Sequence, residues 1–202
     1  MSLPAFFEQT PTITVFDPLT RLLGAGDGTL TYCYADAMRL AGHSCPTIAG
    51  AWLMLRAGLA RLWPDGLPQR GAIHVYLPGD EDEGTTGVVA AVASLVTGAR
   101  QLDGFKGIAG RFDRRHLLHF GTPLPGALGL RRADSKQGVA VRFDPTVVPS
   151  EPAMRNLLQL WADAQADADE ERRLGELWQE RVRRILVDHA DDPALTATAD
   201  WP

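Results

Sequence analysis

Gly42-His43-Ser44-Cys45-Pro46 runs straight into Thr47-Ile48-Ala49-Gly50-Ala51-Trp52-Leu53-Met54-Leu55-Arg56-Ala57-Gly58-Leu59-Ala60-Arg61-Leu62-Trp63, and most of the architecture follows from this one stretch. Ile48, Trp52, Leu55, Leu59 and Leu62 recur at helical spacing, and Pro46, which has no N–H to leave unpaired, suits a first turn. The stretch therefore predicts a long buried helix over 47–63 that opens just after Cys45. At such a position unpaired amides and the positive end of the helix dipole favour a thiolate. His43 stands two residues earlier, and imidazole and thiolate are preferred ligands of zinc and related ions. A pair held in one short turn has already lost most of its closure entropy. Two chemistries fit: His43 and Cys45 as metal ligands, or Cys45 as a nucleophile with His43 as its base. The plain alternative is a small buried cysteine and a histidine that satisfies a helix end.

Around this stretch the pattern alternates strands and helices. Thr12 to Phe16 reads as a strand and Leu19 to Leu23 as a helical turn, followed by Gly24-Ala25-Gly26-Asp27-Gly28. Those glycines lack the spacing of a dinucleotide fingerprint and read as a turn. Thr29 to Tyr34 is rich in strand formers, with Tyr32 and Tyr34 on one side, and 36–41 is a short helix running into the His-Cys turn. Ala72 to Leu77 reads as a strand with Ile73, Val75 and Leu77 on one face and His74 and Tyr76 on the other, where His74 is either packed or a further ligand. Val88 to Thr97 is a small-residue, apolar helix buried nearly all round. Leu117 to Phe120, Leu128 to Arg132 and Val139 to Phe143 read as strands, the last two forming a hairpin, and His119 is packed or exposed within the first. Glu151 to His189 is helical, interrupted near 165–169, with a stripe of Leu174, Leu177, Trp178, Val182, Ile185 and Leu186 that either covers the sheet or pairs with its copy in a homodimer. The tail from Asp191 to Pro202 reads as mobile. The expected fold class is α+β: a mixed β-sheet flanked by helices, with residues 1–150 as the α+β domain and 151–202 as a C-terminal helical extension and tail packed on it.

Two further segments carry chemistry. Gly79-Asp80-Glu81-Asp82-Glu83-Gly84 gathers carboxylates between a strand end and a helix start, a position that suits either a solvated cap or the completion of a metal site. Arg111-Phe112-Asp113-Arg114-Arg115-His116 follows a glycine-rich loop, and Arg114 and Arg115 are candidates for binding an anionic substrate, the alternative being a turn salt-bridged to Asp113.

Composition excludes several classes. A net charge of -5, with no basic cluster interleaved with aromatics, argues against a nucleic-acid partner. The first residues lack a basic, then apolar, leader, and no apolar run is long enough to cross a bilayer, so a soluble, cytoplasmic protein is expected. Two cysteines, Cys33 and Cys45, are too few for a disulfide scaffold and are expected to stay reduced.

Tyr34-Ala35-Asp36-Ala37, Leu40-Ala41-Gly42-His43-Ser44-Cys45-Pro46 and the small-residue helix start Thr47-Ile48-Ala49-Gly50-Ala51 together resemble the FmdE-like family of formylmethanofuran dehydrogenase components, across roughly residues 30 to 145. The resemblance is specific at the Gly-His-x-Cys-Pro motif. It implies a mixed α+β fold, a divalent metal ion as cofactor, usually zinc, on His43 and Cys45, and a homodimer. The family commonly places another cysteine after the strand matching Ala72 to Leu77. Here the acidic run stands in that place, so Asp80 and Asp82 are the preferred replacement ligands, with the neighbouring Glu81 or Glu83 as the alternative. No paired-cysteine tail or redox-cluster ligand set is present, so the family name does not define an activity. The functions left open are a metal-binding protein, either an enzyme or an accessory factor acting on a small anionic ligand; a non-catalytic dimeric scaffold; and a metal-independent thiol enzyme using Cys45.

Overall fold

The computed structural model describes residues 3–202. In chain order its elements are β1 (Ile13–Phe16), α1 (Pro18–Leu22), β2 (Thr29–Tyr32), α2 (Tyr34–Ala41), α3 (Pro46–Leu62), β3 (Ile73–Tyr76), α4 (Thr86–Thr97), β4 (Leu118–His119), β5 (Leu128–Arg132), β6 (Gly138–Phe143), α5 (Pro152–Ala162), α6 (Ala168–Arg183) and β7 (Thr196–Trp201). The chain is α+β, as the periodicities indicate. β1 and β2 form an antiparallel pair, and the remaining strands make one mixed sheet in the order β4-β3-β5-β6-β7. Only β3 and β4 run parallel, joined through α4; every other neighbour in that sheet is antiparallel.

α3 is the centre of the fold. It packs on β5, β6 and β7 and against α4, and eleven of its residues, from Ile48 to Leu62, are buried. Two glycines let it lie close to the sheet. A β-carbon on Gly50 would stand 2.6 Å from the Phe143 ring, and one on Gly58 2.7 Å from Leu130. The sheet presents Ile73, Val75, Leu130, Val139 and Val141 to this helix layer, all fully buried. Because residues facing each other across a ladder point to the same side, the registers put His74, Tyr76, His119, Arg131 and Trp201 together on the opposite face.

α6 continues into a wider turn at Arg184–Asp188 and buries Leu177, Val182, Ile185 and Leu186. Of the stripe seen in the sequence, these four side chains are buried within the chain, while Leu174 and Trp178 stay half-buried beside Leu158 and Trp161 of α5. Three local expectations change. Tyr34 is not the end of a strand beside Tyr32 but opens α2, because the Asp36 carboxylate turns back to accept the backbone N–H of Cys33 at 2.9 Å. Leu117 to Phe120 contributes only a two-residue strand. The tail is not loose: Thr196–Trp201 pairs along the whole of β6.

Candidate metal centre

The His-Cys turn is built by the two helices it joins. α2 closes at Gly42, whose N–H donates to the Met38 carbonyl, and α3 opens with Cys45 as the capping residue and Pro46 in its first turn. The backbone of Cys45 is extended, and its thiol makes no capping bond to the helix amides. Both cysteines are free, and Cys45 is buried. Ser44, between the two candidate ligands, is the anchor. Its hydroxyl bonds the Tyr34 hydroxyl at 3.0 Å, and its carbonyl accepts from Trp178 Nε1 and from Gln179 Nε2, each at 3.1 Å. Burial pushes the Tyr34 phenol well above its ordinary range, so it stays neutral.

His43 is exposed and its Nδ1 lies 3.1 Å from the Ala41 carbonyl oxygen. A carbonyl can only accept, so Nδ1 is the donor in this contact, and in the neutral ring the lone pair is on Nε2. Such a backbone hydrogen bond is the usual way a ligating imidazole is oriented.

The expected acidic ligands are not gathered around this turn. Glu83 accepts from the Asp80 backbone N–H at 3.2 Å, and Glu81 accepts from Gln101 at 3.0 Å. Among the described residues no three His, Cys, Asp or Glu side chains form a group that could hold a metal ion, so His43, Cys45, Asp80 and Asp82 are not a preassembled four-ligand site. The acidic run nevertheless ends near the turn. Thr85, at the start of α4, lines a cleft of about 370 Å³ together with Pro46 and Thr47 of α3, Phe143, and Arg181 of α6.

The arginines expected to bind substrate are occupied elsewhere. Arg114 is 5% exposed and donates twice to the Asp17 carboxylate, at 2.9 and 3.1 Å, while Arg70 reaches the same carboxylate at 3.1 Å. Burial would raise the Asp17 pKa, but the Arg114 charge and the Arg70 hydrogen bond outweigh it and hold the carboxyl below its ordinary value. Arg114 is therefore a structural cation that ties the β1–α1 corner to the segment before β4. Arg115 is folded back on Asp113, with contacts of 2.7 to 3.2 Å. The basic side chain that does line the cleft is Arg181, which also donates to the Val148 carbonyl at 2.9 Å. In the sequence Arg181 reads only as part of the polar face of α6.

His74 does not face the turn. It lies on the other side of the sheet, bonded to His119. No protein-family model matches this chain, and no curated protein does. No described helix is long and apolar enough to cross a membrane.

Proposed function

We propose that this chain is a metal-binding protein of the FmdE-like type, holding a divalent ion, zinc by donor preference, through Nε2 of His43 and Sγ of Cys45. The observation that carries the reading is the contact of His43 Nδ1 with the Ala41 carbonyl, which leaves the second ring nitrogen free two residues from an uncapped thiol. The fixing of Ser44 from three sides supports it, since a ligand turn works best when its geometry is set before the ion arrives. The donor set suits a soft or borderline ion but supplies two positions. The remainder would come from water, from a small anionic ligand beside Arg181, or from Asp80 or Asp82 after a movement of the acidic loop. Bound there, the ion would supply Lewis acidity toward such a ligand. The homodimer and the cytoplasmic location belong to the same reading.

The test is metal content. Protein loaded with zinc and then dialysed is expected to keep about one ion per chain by elemental analysis, and a His43→Ala/Cys45→Ala double variant is expected to keep none. Full retention by the folded double variant refutes the assignment. A thiol that alkylates with the same pH profile before and after chelation would instead favour Cys45 as a metal-independent nucleophile.

A further inference from the structure

On the face of the sheet turned away from α3, His74 Nδ1 and His119 Nε2 lie 3.1 Å apart. Their ring centres are 5.4 Å apart and their planes differ by 20°. That separation is close to the largest that two imidazoles joined by such a contact can reach, so the rings meet end to end and the bond is a nearly straight N–H···N. The protein thus links two half-buried histidines to each other, with no carboxylate between them. His74 comes from β3 and His119 from β4, a strand of only two residues.

Proton counting gives the pair an unusual property. With both rings neutral, one donates its N–H and the other accepts. One added proton makes an imidazolium that donates to a neutral partner, so the bond survives. A second added proton leaves two N–H groups pointing at each other, and the bond is lost. The groups around the pair resist that second charge. Tyr76 stacks on His119 at 4.6 Å and is itself packed edge-on by Trp201 from β7. Arg131 from β5 and Lys136 from the β5–β6 turn act on His74, and Arg131 and exposed His116 act on His119. Burial and these cations hold both imidazoles below their ordinary value.

We propose that His74 and His119 form a proton-operated latch on the β4 edge of the sheet: closed, the pair accommodates a single added proton, and opened, it accommodates two. Opening releases β4, whose attachment to β3 is read by two amides, Val75 donating to the Leu117 carbonyl at 2.7 Å and Leu77 donating to the His119 carbonyl at 2.9 Å. Because the open form takes up both protons with an ordinary imidazole affinity, while the closed pair takes up at most one and takes it late, opening carries between one and two added protons, and acidification should raise the opening constant at least about tenfold for each pH unit below about 6.5.

Native-state hydrogen exchange tests this. After correction for the intrinsic pH dependence of exchange, the Val75 and Leu77 amides are expected to lose at least about tenfold in protection per pH unit below about 6.5, while amides of the β5–β6 ladder do not. A His74→Gln/His119→Gln variant, with nothing left to titrate in the pair, is expected to show no such slope. The proposal is overturned if protection at Val75 and Leu77 follows the β5–β6 ladder in the wild-type protein, or if the double variant keeps the wild-type slope. Should the variant not fold, the wild-type comparison of the two sets of amides decides alone.

Discussion

Replacing Asp17 by alanine tests the buried ion network most directly. Its side chain is 3% exposed and does three things at once: it caps α1 through the Leu19 and Thr20 amides, accepts two bonds from Arg114, and accepts one from Arg70. Loss of the cap costs about 1 kcal/mol. Leaving Arg114 buried without its counter-charge costs about 3–5 kcal/mol more. The expected loss of about 4–6 kcal/mol compares with a total stability of about 5–15 kcal/mol for a typical domain, so the variant should be close to unfolding in mild urea. Adding Arg114→Met should recover part of the loss, because the uncompensated charge leaves with the side chain, and the double variant should be more stable than Asp17→Ala alone. Acid dependence gives a second check. A carboxylate whose folded pKa lies below its ordinary 3.8 contributes stability that is fully present above that value and is lost as pH falls through the folded one. The wild-type advantage over the variant should therefore shrink below about pH 4. Equilibrium urea unfolding at neutral and acid pH measures both effects. A cost under about 1 kcal/mol for Asp17→Ala, or a double variant less stable than the single one, would refute the account of Arg114 as a structural cation.

Two predictions concern neighbouring features. Gly98→Ala should cost about 2 kcal/mol or more by urea unfolding, since Gly98 has φ +72° and a β-carbon there would stand 2.6 Å from Arg114 Nη1; its cost should not add to that of Asp17→Ala, because both disturb the same guanidinium. Trp178→Phe removes one donor to the Ser44 carbonyl together with part of a half-buried ring; it should cost about 1–2 kcal/mol, and weaken zinc retention by calorimetry if the His-Cys turn holds the ion.

The parts of this molecule visible in its sequence are those written as local patterns. The spacing of Ile48, Trp52, Leu55, Leu59 and Leu62 marks α3 to within a residue or so at each end, and Pro46 fixes where it starts. The β5–β6 hairpin is equally plain in its alternation. β7 is not, because Thr196-Ala197-Thr198-Ala199-Asp200-Trp201 has no run of large apolar side chains; its order comes from backbone pairing with β6, which composition does not record. Tyr34 misleads for a different reason: a strand-forming side chain is outvoted by the carboxylate of Asp36 two residues on.

At the candidate site the division is the same. His43 and Cys45 stand out because they lie in one turn. What fixes that turn, Trp178 and Gln179, lies 134 and 135 residues further along, and neither has a spacing that announces the role. Arg114 reads as available because its partner Asp17 is 97 residues earlier, and an arginine in a glycine-rich stretch looks the same whether it faces solvent or a buried carboxylate.

The dependence of Ser44 on α6 also has a temporal side. During synthesis the Gly42–Pro46 segment leaves the ribosome well before Trp178 and Gln179 exist, so its final shape is acquired late, when the last helices dock onto α3. A nascent chain arrested between these points would carry the imidazole and the sulfur without the brace that sets them.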